Sequence, residues 1–341
     1  MSLEFLVQRQ ASSFESPFKN FETVTLEGEI RTDPITGHVC RVVPFRLKRF
    51  EARDLTELIE RSRKICPFCP ECVFDKTTRF TSDFGAPGGR IKSGSAIMFP
   101  NAFPYAEYSA VVVLGPEHFV DPASFTPGMF VDGFNASNVY LQLVLDRSPD
   151  VTFASVNANY MPLSGAGLIH PHLQVLATDK PTRYHEKLIR AADARDGNRP
   201  SALFLELLET EEHAGERYVG RTGAVHWLSA FAPTGMYDVW GLYPEGPSFI
   251  EMDQSVYHDF ADGLCRVLRF FGSKYIQSYN LALYTCSKTE RTPTFHLARV
   301  VPRVNLPGFD VSDINYFERL HDESLTFFTP EEAAKEMRGF F

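Results

Sequence analysis

The segment Gly165-Ala-Gly-Leu-Ile-His170-Pro-His172-Leu-Gln174-Val-Leu places three polar side chains at alternate positions. An extended chain points alternate residues to opposite faces, so His170, His172 and Gln174 share one face while Leu173 and Val175 pack behind it. An imidazole is largely neutral and nucleophilic near pH 7. A glutamine amide can donate a hydrogen bond to an oxyanion but does not carry a proton to a leaving group. Taken alone, a His-x-His pair suits a metal or a half-buried polar strand as readily as catalysis. The glycines at 165 and 167 add something further, because backbone without side chains lets a phosphate approach closely. A second cluster, Cys66, Cys69 and Cys72, crowds three of the six cysteines into seven residues, which in a reducing compartment suggests a metal before a disulfide.

These residues need strands and helices to hold them. Strand patterns are clearest at Ala110 to Leu114, Val139 to Leu145, Val151 to Asn157 and Leu173 to Ala177. Helical spacing marks Asp54 to Lys64, the start of Pro127 to Leu145, and Ser255 to Phe271. Strands and helices mix without strict alternation, which predicts an antiparallel α+β architecture rather than a doubly wound sheet. The charged, Gly- and Pro-containing stretch Ala192 to Ser201 divides the chain into expected domains 1–195 and 196–341. The halves echo one another: Asn101-Ala-Phe-Pro-Tyr is answered by Ser229-Ala-Phe-Ala-Pro, and His172-Leu173 by His296-Leu297. Two copies of one fold, drifted apart, would produce this echo.

Composition narrows the partners. The 341 residues are 44% hydrophobic and 23% charged, as in ordinary globular proteins, and the net charge of −9 argues against wrapping nucleic acid or an anionic membrane. No apolar run reaches the roughly 20 residues of a spanning helix. The opening MSLEFLVQRQ lacks a basic segment followed by an apolar one, so the expected location is the cytoplasm.

The histidine segment resembles the His-Pro-His-x-Gln motif of galactose-1-phosphate uridylyltransferases, members of the histidine-triad superfamily. Other blocks resemble the same family: Arg31-Thr-Asp-Pro-Ile-Thr-Gly37, Arg46 and Arg49 in Pro44-Phe-Arg-Leu-Lys-Arg, Cys66-Pro-Phe-Cys69-Pro, Phe99-Pro-Asn101-Ala-Phe-Pro104, Asn159 with Gly165, and Tyr316-Phe317-Glu318-Arg-Leu. Together they span roughly residues 28 to 340.

The resemblance implies two tandem histidine-triad-like domains, each a curved antiparallel sheet with helices, with chemistry confined to the first. It implies that His172 attacks the α-phosphorus of a nucleotide sugar and releases a sugar 1-phosphate. The nucleotidyl group would then pass from His172 to a phosphorylated acceptor in a ping-pong cycle. Gln174 would hold a non-bridging oxygen; lacking a proton to shuttle, it favours transfer over hydrolysis. Arg46 and Arg49 would meet phosphates. Asn101, Asn159, Gly165 and Gly167 would line the nucleotide, while Phe317 and Glu318 would face sugar or acceptor from the neighbouring subunit of a homodimer. Cys66, Cys69, His118 and His170 would hold one structural Zn²⁺, with Cys72 a bystander.

The departures from the family pattern bear on substrate. Gly167 replaces a common serine, and Leu173 gives a His-x-His-Leu-Gln run like that of diadenosine tetraphosphate phosphorylases. His296 stands without a second histidine two residues on, so no second metal is expected. An ADP-sugar or dinucleoside polyphosphate phosphorylase is the rival enzyme. A zinc-stabilised nucleotide-binding protein without turnover is the rival from another class.

Overall fold

The computed structural model describes residues 3–45, 50–194, 200–244, 246–247, 249–286, 296–306 and 311–341. The chain opens with a long hairpin, β1 (Leu6–Ser16) against β2 (Glu22–Thr32), followed by β3 (Val39–Val42). Asp33 shapes the turn between β2 and β3 by accepting from the amides of Ile35 and Thr36 and from the Thr36 hydroxyl. Helix α1 (Thr56–Arg63) then sets Leu58 and Ile59, with the capping Leu55, against the main core.

The first half of the main sheet comprises β4 (Ile91–Ser93), β5 (Ala96–Pro100), β6 (Tyr108–Val113), β7 (Phe153–Tyr160) and β8 (His172–Thr178), with helix α2 (Pro127–Arg147) between β6 and β7. Val139 to Leu145, expected as a strand, lies inside α2. The reason is a longer period than the local one: Phe130, Phe134, Ser137, Leu141 and Val144 recur at three- and four-residue spacing and are buried, while Val139 is exposed. Pro127 opens the helix at a position where its missing N–H costs nothing. Gly133 lets α2 lie close beneath the sheet, since a Cβ there would stand 2.6 Å from Leu114 and 2.9 Å from Leu173.

Helices α3 (Arg183–Asp193) and α4 (Pro200–Ala214) follow, flanking the predicted boundary; residues 195–199 fall outside the described set. The second half of the sheet contains β9 (Tyr218–Thr222), β10 (Val225–Ser229), β11 (Val239–Tyr243), β12 (Ser278–Cys286) and β13 (His296–Arg303), with α5 (Gln254–Ser273) placed as α2 is in the first. Here Gly263 of α5 meets Trp227 as Gly133 meets Leu173. The short pair β14 (Asn305–Leu306) and β15 (Val311–Ser312), then α6 (Tyr316–Leu320), β16 (Glu323–Thr326) and α7 (Pro330–Met337), complete the chain. Strand β16 returns to pair in parallel with β3.

The ten strands form one sheet in the order β4-β5-β6-β8-β7-β12-β13-β11-β10-β9. The order reads alike from both edges, and β8 and β13 begin at the two echoed histidines. The architecture is α+β. One face is covered along its whole length by α2 and α5, around a core that includes Phe134, Leu173, Trp227, Phe260 and Phe271. On the other face α3 and α4 cover the second half and the adjoining end of β7, where Leu188, Leu203, Phe204 and Leu207 pack with Leu228, Trp240, Leu242, Leu297 and Phe153. The rest of the first half of that face is left to the loops around Cys66 and to an open cleft. Among the described residues no helix is long and apolar enough to cross a membrane.

Candidate active site

Strand β8 runs between β6 and β7, pairing Val113 with His172, and Val111 and Asn157 with Gln174. Leu173, Val175 and Ala177 point into the core over α2. His172 and Gln174 turn the opposite way and line a cavity of about 500 Å³ together with Phe68, Phe99, Asn101, Phe103 and Gly167.

The orientation of His172 is set by its own backbone. Its Nδ1–H donates to the carbonyl of His170 at 2.7 Å, which leaves Nε2 as the lone-pair nitrogen. Phe68 stands edge-on to the ring at 5.3 Å and restricts its rotation. Burial holds the imidazole below its usual pKa, with the His170 carbonyl opposing, so the ring is neutral at pH 7. A neutral, oriented imidazole on the floor of a cleft can act as a nucleophile.

Two positions earlier, His170 belongs to a different cluster. Cys66, Cys69, His118 and His170 are all buried, and one ligand atom from each lies within 4.8 Å of the others. Sulfur–nitrogen separations are 3.4 Å for Cys69 to His118, 3.7 Å for Cys66 to His170 and 3.8 Å for Cys69 to His170. A tetrahedral zinc site, with Zn–S about 2.3 Å and Zn–N about 2.0–2.1 Å, requires about 3.6 Å. The donor chemistry fits as well. The Nε2 of His170 faces the carbonyl of Gly115 at 2.9 Å, and the Nε2 of His118 faces the Ser62 hydroxyl at 2.9 Å, so each Nδ1 is directed inward. Burial lowers both imidazoles, His170 to about 4, keeping them neutral. Burial and the adjacent Cys66 push the Cys69 thiol up to about 12; a divalent cation would reverse that balance, because thiolate ligands deprotonate on a metal. These four residues can hold a metal ion. Cys72 stands outside the set.

The loop before the motif is shaped by Gly165, whose φ of 89° is a left-handed conformation open to glycine at no steric cost. Gly167 lines the cavity, and a Cβ there would meet nothing within 4 Å. Asn159 on β7 accepts at Oδ1 from Asn280 Nδ2 at 2.7 Å, which turns its own amide N–H groups away from Asn280. Asn280, on β12, also donates to the Ser164 carbonyl at 3.0 Å and thereby ties the motif loop to the second half. Asn101 forms an Asx turn, accepting from the Phe103 amide at 3.0 Å, while it lines the cavity. Buried Arg90 holds the 74–78 wall through the carbonyls of Phe74 and Thr78. The roles of Asn280, Ser62 and Arg90 are not legible in the sequence, since none belongs to a motif and each contact depends on the tertiary fold.

Arg46 and Arg49 lie outside the described residues. Phe317 and Glu318 lie on α6 beside the four-stranded sheet β1-β2-β3-β16, where Arg41 sits 5.0 Å over the Phe317 ring. Neither lines the cavity containing His172 within one chain. Burial and the nearby Asp313 raise the Glu318 carboxyl above its ordinary range.

The architecture is shared with solved enzymes. An ADP-glucose phosphorylase from Arabidopsis thaliana superimposes with a TM-score of 0.66 at 18% identity, covering 91% of this chain and 98% of that one. A uridylyltransferase gives 0.61 at 20% identity, covering 91% and 98%. The fold is thus that of the galactose-1-phosphate uridylyltransferase type, as the motifs anticipated. No family model matches the chain. An uncharacterized protein of Archaeoglobus fulgidus is 32% identical over 311 residues, 91% of each chain, and this chain belongs to one family with it.

Proposed function

We propose that the protein is a nucleotidyltransferase that moves a nucleoside monophosphate from a nucleotide sugar to a phosphorylated acceptor through His172. The observation that carries this reading is the His172 ring itself: its Nδ1–H is committed to the His170 carbonyl, and its Nε2 is left as the lone-pair nitrogen of a residue lining a cleft beside Gln174. In the first half-reaction the Nε2 lone pair attacks the α-phosphorus, a P–N bond forms, and the α–β bridging P–O bond breaks to release a sugar 1-phosphate. Gln174 donates to a non-bridging oxygen as charge develops. In the second half-reaction an acceptor phosphate oxygen attacks the same phosphorus and the P–N electron pair returns to Nε2. Asn101, Asn159, Gly165 and Gly167 position the nucleotide, and Arg46 and Arg49 neutralise its phosphates.

Cys66, Cys69, His118 and His170 hold a structural Zn²⁺ in this reading. The ion supplies rigidity rather than a reacting group, fixing the strand that bears His172. The chain is divided into a catalytic unit, 1–195, and a unit without the motif, 196–341. It works as a cytoplasmic homodimer in which Phe317 and Glu318 serve the neighbouring subunit's cleft. The solved enzyme of the same fold described as an ADP-glucose phosphorylase supports a second reading, in which inorganic phosphate is the acceptor.

The test is intact-protein mass measurement after incubation with UDP-glucose plus galactose 1-phosphate, and separately with ADP-glucose plus phosphate. The expected result is an acid-labile, base-stable nucleotidyl adduct on His172 that is absent from His172→Ala, with one zinc per chain by plasma mass spectrometry. Full turnover by His172→Ala, or no adduct from any donor, would refute the assignment.

A further inference from the structure

Strand β1 forms the outer edge of the sheet β1-β2-β3-β16; its residues Leu6 to Glu15 are all exposed, and among the described residues no strand pairs with its outer side. Its partner β2 meets β3 only from Glu29 to Thr32, so from Gln10 to Gly28 the hairpin stands on two strands alone. A two-stranded hairpin is marginally stable in water until further strands extend it or another element packs on it. Its two sides differ. Phe14, Val24, Leu26 and Ile30 share one side, and Arg9, Glu15, Glu27 and Glu29 share the other. Phe14 is exposed, as are Phe18 and Phe21 at the tip.

Natural sheets keep a long edge from pairing with proline, lysine or a bulge. β1 contains no proline and no lysine, and its register against β2 runs unbroken from Leu6 to Ser16. Its only charged residues are Arg9 and Glu15, which lie on the same side, three positions before and three after Ser12. That spacing is self-complementary. When two copies of β1 run antiparallel about a two-fold axis through Ser12, each Arg9 stands opposite the second copy's Glu15 and each Gln10 opposite its Phe14. Centring on Ala11 or Ser13 sets Glu15 against Val7 or Ala11 instead, and centring on Arg9 or Glu15 brings like charges together, which disfavours the pairing. The antiparallel sense also keeps the two bodies apart, because the Leu6 ends then lie about 40 Å from each other along the strands.

We propose that the outer edge of β1 docks a second copy of this chain through antiparallel β1–β1 pairing centred on Ser12, joining the two four-stranded sheets into one of eight strands. The two-fold axis stands normal to that sheet, so Phe14, Val24 and Leu26 of both copies fall on one side of it and the hairpin gains the strands it lacks alone. The pairing is independent of the chemistry at His172, since no residue of β1 lines that cavity.

Sedimentation velocity of the full-length protein reads the association, and wild type is expected to run as a dimer. Glu15→Arg, which stands opposite Thr23 within its own chain, should raise the dimer dissociation constant at least about tenfold, because two opposite-charge contacts become two like-charge ones. Arg9→Glu should do the same. An equimolar mixture of the two variants should recover the wild-type affinity as a heterodimer, since both contacts between positions 9 and 15 again join opposite charges. Arg9 also stands opposite Glu29 in its own chain, so the mixture is the decisive arm: damage to a fold is not repaired by mixing. Ser12→Cys should form a disulfide-linked dimer under mild oxidation with diamide, whereas Gln10→Cys, whose two copies lie about 14 Å apart along the strands, should not. A monomeric wild type overturns this pairing and the homodimer alike. A dimer indifferent to Glu15→Arg, or variants that fail to recover on mixing, overturns the pairing alone.

Discussion

The two halves of the ten-stranded sheet have the same strand order and opposite fates. In the first, the face opposite α2 is open and β8 presents His172 and Gln174 to a cleft. In the second, the corresponding face is sealed by α3 and α4, and β13 presents Leu297 to that apolar layer and Arg299 to a buried ion pair with Asp238, Nε to Oδ1 at 3.0 Å. Arg299 also lies 5.3 Å over Tyr184 and 5.4 Å over Trp240. The lesson is that strand order alone does not make a site. What distinguishes the halves is which layer covers one face, and that is settled by α3 and α4 crossing to the second half.

The sharpest way to break this contrast is to exchange the roles of the echoed histidines. If His172 is the nucleophile proposed above, His172→Ala should lower turnover by at least about 10⁴-fold. His296→Gln, whose parent ring donates from Nε2 to the Pro247 carbonyl, should leave turnover within about twofold. Equal losses in steady-state assays would mean the halves are not functionally distinct.

Next in size is the sealed face. Asp238→Ala leaves the Arg299 charge buried without its partner, and should cost about 3–5 kcal/mol in urea unfolding. Gln174→Ala, on the open face, should change stability by less than about 0.5 kcal/mol. An Asp238→Ala cost below about 1 kcal/mol would show that the ion pair does not hold that layer.

Acid sensitivity offers a finer cut. Burial lowers His296 to about 4, against about 6.5 in the unfolded chain. Its folded value is depressed, so its contribution is complete above pH 6.5 and is lost as the pH falls toward 4, about 3 kcal/mol in all. His296→Gln should flatten the fall in unfolding free energy between those limits. An unchanged slope would exclude it as the source. The smallest effect concerns Gly167. Its open surroundings admit a hydroxyl, so Gly167→Ser should raise kcat/KM for the nucleotide donor about three- to tenfold through one added hydrogen bond, with stability unaltered. A decrease would mean that the space is used by substrate.

Much of this arrangement is legible in the sequence where a local period dominates. Leu173 to Ala177 and Val151 to Asn157 read as strands because their alternation survives in a half-covered sheet, and they become β8 and β7 with shifted ends. Ser255 to Phe271 reads as a helix because its stripe is uninterrupted, and becomes α5. Val139 to Leu145 misleads because seven residues rich in Val, Leu and Tyr look like a strand unless the stripe from Phe130 is followed through them. The Cys66, Cys69, His118, His170 quartet is convergent as the family resemblance implied. Asn280 could not be found this way: its contact with Asn159 depends on the pairing of β7 with β12, which no local pattern encodes. The β1–β2 hairpin is illegible for the opposite reason, since β1 is exposed almost throughout and carries little apolar alternation.

The seam between β7 and β12 has a consequence for synthesis. Eight residues of β7 pair with β12, so every nascent chain must hold a bare strand edge, from Phe153 to Tyr160, until residue 286 has emerged from the ribosome. Strand β8, which bears His172, is complete more than a hundred residues earlier, yet Asn159 receives its orienting partner only when β12 arrives. A ribosome stalled in between would display a reactive-looking strand on an unfinished and aggregation-prone scaffold, and a fragment ending at residue 195 would be held permanently in that state.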